Sequence, residues 1–162
     1  MLDILLLGAG YPIRVLFGGA VIATGVSIWL FLTVLCVSLY FALGKRRGEY
    51  QRNLALYGEE GAREHFAKTR PVLCSYNLPF LDSNIHVCLG LSIVFYALWA
   101  LEKSEIMAYT VVPVLIICLK YDHILYTGAD GDPVETLLAS KLLVVLVLLY
   151  VAMMAVIMYM GL

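Results

Sequence analysis

Residues 142–160 are built almost wholly from Leu, Val, Met and Ala, and no charged residue follows Lys141. A run of that length matches the roughly 20 apolar residues needed to cross about 30 Å of hydrocarbon. Lipid offers the backbone no hydrogen-bond partner, so such a run must be a helix. Four more candidates lie upstream, at 2–23, 27–43, 80–101 and 106–119, the last running on to Tyr121. The sequence therefore predicts an all-α, polytopic membrane helix bundle with five transmembrane helices, one transmembrane domain covering 1–162. Composition agrees, since 62% hydrophobic and 14% charged residues leave too little polar surface for a soluble domain of this length.

Between the spans lie short turns at Thr24-Gly25 and Lys103-Ser104 and two long polar loops, 44–79 and 120–141. Alternation puts both long loops on one side of the membrane. Lys45, Arg46, Arg47, Arg52, Arg63, Lys68 and Arg70 all fall in the first loop, so the positive-inside rule assigns that side to the cytoplasm. The N-terminus is then inside and the C-terminus outside. Arg52 to Lys68 is helix-compatible, with Gly58 and Gly61 as breaks, and predicts an interfacial helical hairpin. The start of the chain lacks a basic region and cleavage site, so the first apolar stretch reads as retained. Cys36, Cys74, Cys88 and Cys118 have neither disulfide nor metal-ligand spacing and read as small apolar residues. No basic face with interleaved aromatics points to nucleic acid.

The residues that could carry chemistry sit mostly at span edges. Gly44-Lys45-Arg46-Arg47-Gly48-Glu49-Tyr50 combines three cations with a carboxylate where the second span meets water. Cations suit phosphate oxygens and a carboxylate suits a metal ion. Lys45 and Glu49, four apart, would also share a helix face, and an ordinary salt bridge with snorkelling cations explains the cluster equally well. Arg14 lies deep in the first span, where a charge costs at least about 2.5–3.5 kcal/mol and so needs a polar cavity or an ionic partner such as Asp3. Asp82 and His86 share a face at the start of the third span, more as a cavity lining than as a metal pair. Lys120, Tyr121 and Asp122 are cavity candidates at the fourth span's edge. The Gly- and Asp-rich 128–132 segment makes turns rather than a calcium loop, and Pro133 with Glu135 starts a helix.

Taken in order, these residues resemble the UbiA-type superfamily of intramembrane prenyltransferases, closest to its decaprenyl-phosphate 5-phosphoribosyltransferase branch. Asp3, Gly10, Arg14 and Gly18-Gly19 are similar to the fifth helix of that nine-helix fold. Gly44-Lys45-Arg46 with Glu49 is similar to the branch's second polar motif. Tyr96-Ala97-Leu98-Trp99-Ala100 with Glu102 looks like the end of the seventh helix. Val112-Pro113, Lys120-Tyr121, Gly128, Pro133 and Glu135 resemble the eighth helix and last loop. Ser140-Lys141 stands where the branch has an Asp-Arg pair, which keeps a cation and loses a carboxylate. The first aspartate-rich motif and its four helices have no counterpart in these residues, so the resemblance is to a C-terminal half, helices five to nine. Met1 is then a true start, a split-gene product or an internal residue of a longer chain.

The resemblance implies a transferase that moves a 5-phosphoribosyl group from a phosphoribosyl diphosphate to a polyprenyl phosphate with Mg²⁺, in the bacterial inner membrane, for lipid-linked sugar precursors of the cell envelope. It assigns Glu49 to the metal and catalysis, Arg14 and Lys45 to catalysis, and Arg46, Asp3, Lys120, Tyr121, Asp122 and Lys141 to substrate binding. The expected partners are the polyprenyl phosphate lipid, the diphosphate donor, the bilayer, and a complementary N-terminal half or a second copy. Two other readings stay open: a prenyltransferase acting on an aromatic acceptor, which the Lys-Arg…Glu motif disfavours, and a non-catalytic lipid-binding half-protein.

Overall fold

A computed structural model describes residues 2–69, 71–127, 133–138 and 140–160. Its helices are α1 Leu2–Val21, α2 Ile28–Thr69, α3 Leu78–Lys103, α4 Glu105–Ala108, α5 Val111–Thr127, α6 Pro133–Leu138 and α7 Lys141–Met160, with a 3₁₀ turn at Pro71–Ser75. Among the described residues there is no strand. Five helical stretches, Asp3–Val21, Ile28–Thr69, Leu78–Lys103, Glu105–Thr127 and Lys141–Tyr159, are long and apolar enough to cross a membrane. The bundle is that of an integral membrane protein, as the apolar runs predict. The predicted turn segment 128–132 lies outside the described residues, as does the side chain of Glu135.

The helix ends follow local chemistry. Asn77 caps α3 by accepting a hydrogen bond from the Phe80 amide at 2.8 Å, with proline in the first turn. Ser104, in extended backbone, ends α3 through its amide and starts α4 through its hydroxyl, which accepts from Met107 N at 3.1 Å. One residue thus replaces a whole loop between two spans. At the same end, the Ser27 hydroxyl donates to the Glu102 carboxylate, tying the start of α2 to the end of α3.

The second span does not stop where its charges begin. Helix runs on through residues 44–69, a stretch expected to be a loop, because Lys, Arg, Glu, Gln, Leu and Ala are all good helix formers. The predicted hairpin is nonetheless there. Gly58 has φ 66° and ψ −179°, a conformation open essentially only to glycine, and it breaks the helix in two. Beyond it the chain turns back, so that Phe66 stacks on Tyr50 at 5.2 Å and His65 on Tyr57 at 5.0 Å. In an uninterrupted helix Tyr50 and Phe66 would be about 24 Å apart. Gly61, the second predicted break, is ordinary helix. Gly58→Ala is expected to cost about 1–3 kcal/mol from backbone strain alone, since a Cβ there would meet open space. Thermal unfolding in detergent would register the loss, and an unchanged melting temperature would remove Gly58 as the turn's determinant.

α2 is the central helix, packed along α3 on one side and α1 on the other. The main core gathers at one end of the bundle, where Tyr40, Leu43, Phe66, Leu73, Leu81, Ile85 and Leu125 are buried together. Near the opposite end Ala100, Met107 and Ile157 form a smaller cluster. Between α3, α5 and α7 the Tyr96 hydroxyl lies 2.6 Å from Thr110 Oγ1 and 2.9 Å from the Tyr150 hydroxyl. These contacts set the alternation. The starts of α1 and α3, the middle of α2 and the end of α5 all lie at the large-core end.

Candidate functional site

At that end, α2 presents two consecutive arginines that are both buried, Arg46 at 3% and Arg47 at 5% exposure. Neighbours on a helix point about 100° apart, so the two guanidinium groups reach different helices. Burying a cation without an anion is costly, and each arginine has a carboxylate.

Arg46 turns toward α1. Its Nη2 donates to Asp3 Oδ1 at 3.1 Å, and its Nε lies 2.8 Å from Asp3 Oδ2, an ion-pair contact outside hydrogen-bond angles. Nη1 donates to Glu49 Oε2 at 2.7 Å, one helical turn along α2. Two carboxylates therefore converge on one buried cation. Tyr76 completes this corner, its phenol pushed up from the ordinary value by burial and by the Asp3 charge, with Arg46 pulling the other way. Just beneath, Ile4, Leu5, Leu39, Leu43, Asn84 and Cys88 line an apolar recess of about 320 Å³ between α1, α2 and α3.

Arg47 turns toward α3 and α5. Its Nε donates to Asp82 Oδ1 at 2.6 Å, its Nη1 to Gln51 Oε1 at 2.8 Å, and its guanidinium carbon stands 3.9 Å above the Tyr126 ring centre. Tyr126 donates its hydroxyl to the same Asp82 oxygen at 3.1 Å. His86 stacks on Tyr126 at 5.5 Å, and its Nε2 lies 3.7 Å from Asp122 Oδ2. Tyr40 donates to Asp122 Oδ1 at 3.0 Å, while Tyr40, Phe41 and Tyr121 pack ring against ring.

The structure thus brings together Asp3, Arg46 and Glu49 where α2 meets α1, and Tyr121 and Asp122 around Tyr40 where α2 meets α5. It does not join Lys45 to Glu49: Arg46, three residues before Glu49, takes the carboxylate, and Lys45 is exposed with no ion pair among the described residues. Nor does Asp3 pair with Arg14, because Arg46 holds it. Eleven residues, or about 16 Å of helix, separate the two on α1. Arg14 is exposed, makes no ion pair among the described residues, and has its guanidinium carbon 5.8 Å from the Tyr11 ring centre. Lys120 is half-buried and Lys141 exposed, and neither makes an ion pair among the described residues. Sequence reasoning counted Arg47 among the motif's cations without giving it a role, and passed over Gln51, Tyr126 and Tyr40. The usable signal was the arginine pair itself, since adjacent helical residues cannot share one partner.

Among the described residues no three His, Cys, Asp or Glu side chains converge as a closed metal site. Magnesium needs less from the protein: one or two carboxylates, with water and substrate phosphates filling the remaining positions. Asp3 and Glu49, gathered on Arg46, supply that number of carboxylates. The four cysteines are free, with Cys36 buried and Cys74 exposed.

Curated relatives match nearly the whole length of this chain. A protein of Corynebacterium glutamicum named decaprenyl-phosphate phosphoribosyltransferase is 30% identical over 158 residues, covering 93% of this chain and 45% of the relative. This chain is homologous to the decaprenyl-phosphate phosphoribosyltransferases. Proteins of the same name from Mycolicibacterium smegmatis and Mycobacterium tuberculosis are 29% and 27% identical, covering 93% and 94% of this chain and 49% of each relative. The chain spans about half the length of the curated relatives it matches. No family model matches it.

Proposed function

We propose that this chain forms one side of a membrane site that transfers a 5-phosphoribosyl group from a phosphoribosyl diphosphate to a polyprenyl phosphate. The observation that carries the reading is the buried Arg46 with two carboxylates around it, beside the exposed Lys45 and directly above an apolar recess. Such a corner offers cations to phosphate oxygens, carboxylates to a shared Mg²⁺, and an apolar surface to a prenyl chain.

In the proposed reaction a phosphate oxygen of the lipid attacks the anomeric carbon of the donor. The bond from that carbon to the diphosphate breaks, and diphosphate leaves with the bonding electrons. Bound Mg²⁺ would offset the charge that grows on the leaving oxygens. Glu49 and Asp3 would hold the ion, while Arg46 and Lys45 neutralise phosphate charge more strongly in the transition state than in the ground state. Lys45 can move to the donor at little cost because no carboxylate among the described residues engages it. Tyr121, Asp122, Lys120 and Lys141 line the same end of the bundle and would border the donor. No protein nucleophile takes part.

The site faces the cytoplasm of a bacterial inner membrane in this reading, with the basic segment 45–70 inside and the C-terminus outside, and its product feeds lipid-linked sugar assembly for the cell envelope. A complementary half, matching the rest of the relatives' length, supplies the opposing metal ligands. Expressed without that half, residues 1–162 are expected to give no phosphoribosyl transfer from phosphoribosyl diphosphate to a polyprenyl phosphate in proteoliposomes. Together with it, Mg²⁺-dependent transfer is expected. Transfer by these residues alone would overturn the half-site reading, and failure of the assembled protein to transfer would favour a non-catalytic lipid-binding role.

A further inference from the structure

The first span carries a cation that the described chain leaves without an anion. Arg14 sits seven residues, or about 10 Å, before the end of α1, and eleven residues after Asp3. Snorkelling toward the Val21 end would have to cover a distance longer than the side chain itself. The Tyr11 ring at 5.8 Å is at the outer limit of a cation–π contact and offers no formal charge. The carboxylates on these helices lie away from the depth of Arg14: Asp3, Asp82, Glu102, Glu105 and Asp122 toward helix ends, and Glu49, Glu59, Glu60 and Glu64 in the charged part of α2 beyond Gly44.

The glycines around Arg14 divide into two sets. A Cβ at Gly8 would come within 2.9 Å of Leu39, and one at Gly19 within 2.3 Å of Val26, so these two glycines serve packing inside the described bundle. A Cβ at Gly10 or Gly18 would meet nothing within 4 Å. Gly10, Arg14 and Gly18 are spaced four apart and share one face of α1. Nothing inside the described bundle calls for small residues on that face. Small residues in a membrane helix let another helix approach closely, and a charge between them then becomes buried in the contact.

We propose that the Gly10–Arg14–Gly18 face of α1 docks against a transmembrane helix that bears an Asp or Glu at the depth of Arg14. That helix belongs to the part of the protein corresponding to the half of the relatives' length that this chain does not match, whether on the same polypeptide or another. The inference rests on the reading that a complementary half exists, and not on the reaction that the assembly performs. A second copy of this chain does not fit, because a two-fold contact through this face would set Arg14 against Arg14. The charge selects the partner: a purely apolar helix would bury the guanidinium unpaired, whereas a carboxylate converts that cost into a contact which also fixes the depth of one helix against the other.

Replacement of Phe17, 72% exposed at the edge of this face, by p-benzoylphenylalanine tests the proposal in membranes of the cells that make the protein. Leu148, 63% exposed on α7, is the control position. Irradiation is expected to join position 17, and not position 148, to a transmembrane peptide containing Asp or Glu. Arg14→Glu is expected to reduce that adduct at least tenfold, Arg14→Lys to retain most of it, and exchange of the partner carboxylate for arginine to restore it in the Arg14→Glu background. Adducts to lipid alone, adducts to a second copy, or a yield unchanged by Arg14→Glu would each overturn the proposal. The readout needs no turnover, so a failed transferase assay and a failed adduct are separate results.

Discussion

Glu49→Gln in the assembled protein is expected to lower Mg²⁺-dependent phosphoribosyl transfer by about two to three orders of magnitude, the usual loss when one preorganised charge-stabilising group is removed. The substitution keeps the side chain's size and its place on α2. Arg46 retains Asp3, with contacts of 2.8 and 3.1 Å, so the buried guanidinium is not stranded. Amide oxygen is a poor magnesium ligand beside carboxylate, and raising Mg²⁺ should recover part of the rate. Insertion and melting temperature should stay close to those of the parent protein. A variant that turns over normally at low Mg²⁺ would remove Glu49 from the site, and one that fails to accumulate in the membrane would make it a structural residue instead.

The second large effect belongs to stability. Asp82→Leu leaves Arg47 buried with no carboxylate, and breaking a buried ion pair from one side costs about 3–5 kcal/mol. Asp82 keeps about a third of its side chain exposed, so the lower end applies, about 3 kcal/mol. Replacing both partners, Arg47→Met with Asp82→Leu, should return most of that loss, since two apolar side chains leave no orphaned charge. Equilibrium unfolding of the parent, both single variants and the double variant in mixed micelles gives the coupling energy directly. Additive losses would mean that Arg47 and Asp82 do not depend on one another, contrary to their 2.6 Å contact.

The number and position of the spans were legible because hydrophobic length is a local property that any window of the chain carries. The end of the second span was not. Charges at Lys45 to Arg47 read as the end of an apolar span, yet the same residues favour helix, so the helix continues past them. Gly58 was legible as a break since only glycine takes that backbone shape easily; Gly61 offered the same letter without the need. The charged corner was half legible. Spacing predicts which residues share a helix face, and it suggested Lys45 with Glu49. It carries no information about Asp3, 43 residues from Arg46 in sequence, which takes one arginine toward α1. Arg14 shows the same limit, because a depth inferred from sequence does not say which neighbour, or which missing neighbour, answers the charge.

The adjacency of Arg46 and Arg47 has a mechanical meaning. Each guanidinium finds its carboxylate on a different helix, so both can be satisfied at only one rotation of α2 about its own axis. Turning the helix by a single residue would put Arg46 where Arg47 belongs and withdraw both from their partners. The pair works like two pins of unequal placement in one barrel: either alone would tolerate several settings, and together they admit one. Lys45, next to the pair, therefore projects from a helix whose orientation is already fixed.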